Sequence, residues 1–346
     1  MLHQSAQNQN RLKADPMQIT LNDGRKLGIE VSKGADLVYI SHAHTDHARG
    51  GNIFASQQTF DLLSAGSTKN TSLVDVNDNN VKLFPAGHIL GSTQLQYTNG
   101  HTTVHTGDFK LRDGFTTEKA EILHCDELHI DCTFGHPDFN FPEKEELADR
   151  IDRWTRTRLM TGQNVIFGAY STGKAQELIH ILNKYSDITP VVDQTIEKKC
   201  QIYDKHGVKL KRFEIGTYEA SEAMKGKFVY IVPFHLINQQ SEGWFITQYR
   251  KVSFALVTGW ANKYKYRNQA FPLSDHSGFN EIVRYVEESG AKEIVCHYGY
   301  AGWMSSHLKS KGYNAKTEKE WEASLIPTIT SAKTNEPVPM VVNNKI

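Results

Sequence analysis

Short apolar runs alternate with polar turn residues through the first third of the chain, a pattern typical of β-strands. Four runs of this kind predict strands: Leu37–Ile40, Val81–Phe84, Thr102–His105 and Glu127–Ile130. Each run is too short for a helix of ordinary length and is rich in branched or aromatic side chains. The first part of the chain is therefore predicted to be mainly β-sheet.

Farther along, the pattern switches between helix and strand. A charged stretch from about Glu143 to Met160 predicts a helix. The segments after it predict a strand, a helix and a strand, over Asn164–Tyr170, Gly173–Tyr185 and Pro190–Asp193. Near the end, a helix and a strand are predicted over Phe279–Ser289 and Glu293–Cys296, and an irregular or strand-like extension beyond Ile326. Such alternation predicts βαβ units and an α/β fold with a parallel sheet.

The chain of 346 residues is longer than one ordinary domain, so two compact units are expected. The middle block, about 142–267, is predicted to be a separate α/β unit. The flanking pieces, 1–141 and 268–346, are expected to form one domain together.

Composition narrows the class of protein. No apolar run is long enough to span a bilayer, and Met1–Asn10 lacks the apolar core of a signal peptide, so no membrane partner and a cytoplasmic location are expected. The four cysteines form no CxxC pair and are predicted to be reduced thiols. The formal net charge is zero, so any nucleic-acid partner must be recognised by local patches and by an active site.

A histidine-rich segment, Ser41–His47, follows the first predicted strand. It places His42, His44, Asp46 and His47 within six residues. Imidazole and carboxylate groups crowded in this way are costly unless a cation orders them, and both suit zinc and similar metals. The alternative is a solvated polar loop.

Three further candidates each follow a β-type run. They are His88, Asp108 and His297. Ligands gather beyond the carboxyl ends of strands in α/β sheets, so these side chains could converge with the histidine segment. Taken singly, each would be an ordinary polar residue, and only the joint pattern predicts a metal centre.

The order HxHxDH, then Pro85–His88, then Thr106–Asp108 resembles the metallo-β-lactamase superfamily. The resemblance implies an αββα sandwich that holds two divalent ions, with zinc expected and manganese or magnesium as alternatives. It implies that one ion binds His42, His44 and His88, and that the other binds Asp46, His47 and His297, with Asp108 bridging. Glu30 stands where the family usually has an Asp that braces the histidine loop.

Three later motifs resemble the β-CASP branch of that superfamily. They are Ile130–Gly135 (IDCTFG), Leu273–Gly278 (LSDHSG) and Val295–Gly299 (VCHYG). The branch implies that the middle block is an inserted α/β cap, that His276 meets the scissile phosphate and that the acidic motif contains Asp131. Tyr298 departs from the family, in which the third motif has His directly before Gly.

Within the branch, the segments PAGHILGS and AYSTGKAQE are similar to ligase-associated DNA exonucleases, also described as mRNA 3′-end processing factors. A pair of metal ions would activate a hydroxide and stabilise an in-line phosphoryl transition state. The expected catalytic residues are Asp46, His276 as proton or hydrogen-bond donor, and Asp131, which would orient His276. Alternatively, His276 is a structural residue where Ser274 and Asp275 cap a helix.

A near-match to a phosphate-binding loop spans Gly168–Ala175. Ala175 replaces the magnesium-binding hydroxyl of a nucleotide-binding loop, which argues against an ATPase. Ser171, Thr172, Gly173 and Lys174 are still predicted to bind a backbone phosphate of the substrate; the alternative is a plain helix cap. Two basic clusters, at 198–212 and 263–267, could contact nucleic acid, or could simply be solvated faces.

These observations favour a metal-dependent nuclease, with a DNA exonuclease of repair or end processing preferred. An RNA-processing exo- or endonuclease of the β-CASP type is the nearest alternative. The predicted partner is therefore nucleic acid, DNA before RNA. A small ester or thioester hydrolase and a catalytically silent nucleic-acid-binding subunit are further alternatives.

Overall fold

The computed structural model describes residues 17–66 and 71–325, and their fold is of the α/β class that the pattern predicts. Each strand and helix predicted above is present with its ends within one residue of the expected bounds. The extension predicted beyond Ile326 lies outside the described residues.

The strands of the described residues, in chain order, are β1 (Gln18–Thr20), β2 (Lys26–Ile29), β3 (Leu37–Tyr39), β4 (Gly51–Phe54), β5 (Thr71–Leu73), β6 (Val81–Pro85), β7 (Thr93–Thr98), β8 (Thr102–His105), β9 (Glu127–Asp131), β10 (Asn164–Ala169), β11 (Val191–Val192), β12 (Phe213–Glu214), β13 (Val229–Pro233), β14 (Val252–Val257), β15 (Gln269–Phe271), β16 (Glu293–His297) and β17 (Ala315–Thr317). The helices are α1 (Gln57–Ser64), α2 (Lys144–Met160), α3 (Lys174–Tyr185), α4 (Gln194–Lys205), α5 (Tyr218–Ala223), α6 (Gln239–Tyr249), α7 (Phe279–Ser289), α8 (Ala301–Ser310) and α9 (Glu318–Leu325).

The strands form three sheets. The first sheet has the order β1-β2-β3-β4-β5, and the second has the order β17-β16-β9-β8-β7-β6. The middle sheet has the order β12-β11-β13-β10-β14-β15, with every pair parallel. Pieces from both ends of the chain build the second sheet, because β16 pairs with β9.

The first and second sheets share a hydrophobic core. Leu27 and Tyr39 of the first sheet are buried in one cluster with Val81 and Leu95 of the second. The Tyr39 hydroxyl also donates to the Thr93 carbonyl at 2.6 Å, which satisfies the buried phenol. The two sheets therefore pack against each other.

Helices α7 and α8 cover the other face of the second sheet. Ile282 of α7 and Met304 of α8 belong to a buried cluster with Leu128 and Ile130 of β9. Strand residues alternate between faces, so His129 and Asp131 point away from these helices. The alternation of apolar and polar residues in β9 thus directs polar groups to the side on which the site lies.

The middle sheet is buried on both faces. One face packs with α2, α3 and α4 in a cluster that extends to the first sheet and α1. A second cluster on the opposite face includes residues of α5 and α6. The edge strand β15 begins at Gln269, just beyond the predicted limit of the middle block at 267. It belongs to the middle sheet because it pairs with β14.

No helix in residues 17–66 and 71–325 has both the length and the apolar character that crossing a bilayer requires. Cys125, Cys132, Cys200 and Cys296 are buried free thiols.

Candidate metal centre

The loop after β3 brings two histidines to side chains that follow β6 and β8. His44 Nδ1 lies 3.1 Å from both His42 Nε2 and His88 Nε2. An Asp108 carboxylate oxygen lies 3.4 Å from His42 Nε2 and 3.6 Å from His88 Nε2. One ligand atom from each of these four residues falls within 4.8 Å of all the others. We call these residues the four-donor cluster.

Each imidazole of the cluster is oriented through its far nitrogen. His88 Nδ1 donates to the Asp275 carbonyl at 2.8 Å, and His44 Nε2 donates to the Thr172 carbonyl at 3.3 Å. His42 Nδ1 meets the Ser41 hydroxyl at 2.9 Å. Such outer partners fix the ring so that the near nitrogen faces a metal.

The protonation state of the three imidazoles also suits a bound cation. Burial lowers the pKa of His42 and His88, and it lowers the pKa of His44 to about 4, so the rings are neutral. Neutral imidazole is the form that binds a metal. Three imidazoles and one carboxylate make a complete set for a four-coordinate zinc or a similar ion. The residues present therefore fit a metal.

A second set of contacts surrounds His47. Its Nδ1 donates to a Glu30 carboxylate oxygen at 2.8 Å, while its Nε2 lies 3.8 Å from Asp46 and 4.0 Å from Asp108. The Ser41 hydroxyl donates to the other Glu30 oxygen. Glu30 thus braces the histidine loop, as the resemblance implies for this position.

The structure places His276 and Asp131 together beside the four-donor cluster. His276 Nδ1 lies 2.9 Å from Asp131, and its Nε2 lies 3.9 Å from Asp108. Thr133 donates to the second Asp131 oxygen from its backbone N–H at 2.8 Å and its hydroxyl at 2.6 Å. Asp131 is therefore held in place and can orient the His276 ring.

Charge on His276 follows from these neighbours. Burial lowers the pKa of His276, but the carboxylates of Asp108 and Asp131 outweigh burial and raise the pKa to about 9. These carboxylates therefore favour the protonated ring, which can donate a proton or a hydrogen bond.

His297 does not join the other predicted ligands. It ends β16, and its Nε2 lies 2.9 Å from Nδ1 of His129, while its Nδ1 lies 3.5 Å from Glu318. Parallel pairing of β16 with β9 directs the ring to this neighbour. Of the two residues at the end of this strand, Tyr298 rather than His297 packs against His47, with ring centroids 5.6 Å apart. The expectation that His297 faces the second ion is therefore not met by this geometry.

The predicted phosphate loop has a different arrangement from the expected one. The Lys174 ammonium makes a buried ion pair with Asp275 rather than facing solvent. The Gly173 N–H is capped by the Gln176 side chain at 2.7 Å. Ser171 and Thr172 do line the cleft above the centre. Two of the groups predicted for a phosphate are thus already engaged within the protein.

A matched pair of substitutions tests whether Lys174 serves to pair with Asp275 or to bind a phosphate of the substrate. Replacing Lys174 by Met leaves the buried Asp275 charge unpaired, which we expect to lower the free energy of unfolding by about 3–5 kcal/mol. Replacing the exposed Lys184 of the same helix should change it by less than about 0.5 kcal/mol. Urea unfolding followed by circular dichroism measures both. A Lys174→Met protein of unchanged stability that binds substrate less well would instead support the phosphate role.

The basic clusters are largely paired within the protein. Arg212 is bound by Glu197 and Asp204, and Lys205 by Asp61. Lys263 contacts Asp138 and lies 4.8 Å from the Tyr300 ring centroid. Lys199 lines the cleft, although its ammonium donates to the Leu62 carbonyl.

The cleft above the centre has a volume of about 670 Å³. Its walls come from the flanking pieces and from the middle block. Lining residues include the charged or polar His44, Asp46, His47, Asp108, Lys174, Lys199 and His276, and the aromatic Phe134, Tyr170, Trp260 and Tyr298. An extended anionic chain with planar bases fits such a mixture.

Three residues close to the predicted ligands, His105, His129 and Asp275, were not predicted as ligands or catalytic groups. His129 lies between His297 and Glu127, and His105 stacks near it with ring centroids 6.0 Å apart. Alternation along Glu127–Asp131 was a signal that could have placed His129 on the face of Asp131. Asp275 had no such signal, because its partners come from distant segments.

Comparison with known proteins supports these observations. No family model matches the chain. The chain is 30% identical over 302 residues to a probable DNA ligase of Opitutus terrae. The aligned region covers 80% of this chain and 28% of the ligase. It is 27% identical over 237 residues to a probable RNase, MJ4, of Methanocaldococcus jannaschii, which covers 52% of this chain and 54% of the RNase. The chain thus spans about half or less of the length of these relatives.

A solved structure is similar in fold. The crystal structure of a protein of unknown function from Enterococcus faecalis V583 superposes with a TM-score of 0.52 at 15% identity, over 75% of this chain and 74% of that chain. At this identity the likeness concerns the fold alone.

Proposed function

The chain belongs to the β-CASP branch of the metallo-β-lactamase superfamily, and from this premise we propose that it is a metal-dependent nuclease that hydrolyses nucleic-acid phosphodiester bonds. One observation carries the proposal: the four-donor cluster and the His276–Asp131 pair meet in one cleft. A proton donor beside a metal centre is well suited to phosphodiester hydrolysis.

We also propose the architecture of the branch for this chain. The first and second sheets, with α7 and α8 outside, correspond to an αββα sandwich. The middle block, about 142–267, corresponds to the inserted cap, which contributes Tyr170 and Trp260 to the cleft walls. The flanking pieces 1–141 and 268–346 then make up the metal-binding domain.

The proposed metal ligands follow from the contacts. His42, His44, His88 and Asp108 would hold one divalent ion, and Asp46, His47 and Asp108 would hold a second. We favour zinc because imidazole predominates, with manganese or magnesium as alternatives. When bound, such ions lower the pKa of water and neutralise charge on the phosphoryl group.

Side chains of the protein would then orient the substrate phosphate and protonate the leaving oxygen. The His276 imidazolium, held by Asp131, faces Asp108 and can donate to the leaving oxygen or to a phosphate oxygen. Asp46 is exposed at the cleft and would help to position the attacking group. The His276 side chain is only 12% exposed, and this partial burial strengthens its interaction with an anionic phosphate.

The preferred substrate is DNA, processed from an end, in repair or end processing. The relative named as a DNA ligase matches over most of this chain, which supports DNA. RNA processing is the second candidate, because another relative is named as an RNase. A small ester substrate is disfavoured because the cleft of about 670 Å³ is lined by several aromatic side chains.

End-labelled single- and double-stranded DNA and RNA of one sequence test the proposal. We expect metal-dependent release of mononucleotides, faster from DNA than from RNA, and loss of activity with a chelator. Faster cleavage of RNA would favour the second candidate. If none of the four substrates is cleaved with zinc, manganese or magnesium, the nuclease assignment is overturned.

A further inference from the structure

The two sides of the metal centre are not equally equipped. On one side, the four-donor cluster provides three imidazoles and one carboxylate whose ligand atoms all lie within 4.8 Å of one another. In addition, each of its imidazoles has an outer hydrogen-bond partner. This side is complete and already oriented.

The other side has fewer donors, and they lie farther apart. His47 Nε2 is 3.8 Å from Asp46 and 4.0 Å from Asp108, which it shares with the four-donor cluster. The Asp46 side chain is 80% exposed, so little packing holds it in place. Within residues 17–66 and 71–325, the groups of ligand atoms that fit a single ion do not include Asp46.

The imidazole that the resemblance assigns to the second ion comes from the end of β16, and it is turned away. His297 is engaged with His129 at 2.9 Å and lies near Glu318. Tyr298 takes the place beside His47, at a ring separation of 5.6 Å, and its hydroxyl donates to Glu30 at 3.2 Å. The phenol oxygen is therefore directed to the bracing carboxylate.

The backbone conformation at the end of β16 fixes Tyr298, rather than His297, beside His47. Tyr298 has a φ of 60°, a left-handed conformation that costs free energy for any residue with a side chain. Gly299, also left-handed, lies against the Thr133 backbone so closely that an added Cβ would stand 2.4 Å from it. Rotating β16 by one residue to bring His297 into the place of Tyr298 would break this packing and the pairing with β9.

We infer that the two metal sites are unequal: the four-donor cluster retains one ion tightly, and the side formed by Asp46, His47 and Asp108 binds a second ion weakly because Tyr298 stands where a further imidazole would be needed. This inference rests on the proposed function for the existence of the two sites. Loss of even an outer partner lowers metal affinity by about 10–100-fold, so we expect the two dissociation constants to differ by at least about 100-fold.

Metal binding by the full chain tests the inference without any assay of activity. The protein is loaded with excess Zn²⁺ and gel-filtered, and its zinc content is measured by mass spectrometry. Competition with a zinc-binding dye then gives both dissociation constants. We expect about one retained ion per chain and a second that binds only when free zinc is present.

Single substitutions identify the ligands of each ion. Asp46→Asn should abolish the weak site and leave the retained ion, while His44→Ala should release the retained ion. Tyr298→His should tighten the weak site by at least about 10-fold, whereas Tyr298→Phe, which keeps the ring and loses the hydroxyl, should not. His297→Gln should leave both dissociation constants unchanged, because His297 is engaged with His129.

Two results would overturn the inference. One is a wild-type protein that retains two ions with dissociation constants within about 10-fold of each other. The other is loss of an ion in a folded His297→Gln protein, with folding checked by circular dichroism. Unequal binding in a protein that cleaves no nucleic acid would leave the inference standing and refute the proposed function.

Discussion

Replacing Asp108 by asparagine should lower the rate of phosphodiester hydrolysis by at least about 1000-fold. Its carboxylate lies within 4.0 Å of ring nitrogens of His42, His47, His88 and His276. Removal of a single group that stabilises developing charge costs about 100–1000-fold in rate, and Asp108 would serve both ions. The amide keeps the shape of the side chain and removes its negative charge.

Initial rates on end-labelled DNA at saturating metal measure this effect. Zinc content should fall together with the rate, because a neutral amide is a poor ligand for a divalent cation. Asp75→Asn, at an exposed position, is the matched control and should retain wild-type rate. A folded Asp108→Asn protein that keeps more than a tenth of the wild-type rate would show that Asp108 does not hold the reactive ion.

Replacing His276 by alanine should lower the rate by about 100–10,000-fold, the range for loss of a positioned proton donor. The retained ion should be unaffected, because His276 is not part of the four-donor cluster. This separation of rate from metal content distinguishes a proton donor from a ligand. His124→Ala, at an exposed histidine, should change neither quantity.

Asp131→Asn extends the same experiment. Asp131 acts through His276, since its carboxylate lies 2.9 Å from His276 Nδ1, so its loss should cost less, about 10–100-fold. In the double variant, Asp131→Asn should add little to His276→Ala, because two residues that act as a unit are not additive. Full additivity of the two effects would show that Asp131 serves the reaction independently of His276.

Local patterns along the chain were sufficient to predict a large part of the site. The apolar runs predicted the strands, and each polar residue directly after a run predicted a place at a sheet edge. His42, His88 and Asp108 follow β3, β6 and β8, and the structure gathers them within 4.8 Å. This worked because strand ends are a local property and because strands of one sheet expose their ends at a common edge.

The pairing of His276 with Asp131 was predicted through the resemblance to the β-CASP branch. The structure brings the two side chains together across 145 residues of sequence. Periodicity alone offered no reason to join them, since the two segments lie on opposite sides of the middle block. Their functional role stays a prediction until the substitutions above are made.

The sequence by itself determined the class of fold, the histidine loop and the donors of the four-donor cluster, because these depend on strand ends and on residue types that bind metal. Only the tertiary structure decided that Tyr298 rather than His297 faces His47, and that Lys174 pairs with Asp275. Both outcomes depend on how β16 and α3 pack against segments distant in sequence, where a rotation of one residue exchanges the side chain that faces the site. Such a choice is made by the free energy of packing the whole molecule, which no local pattern contains.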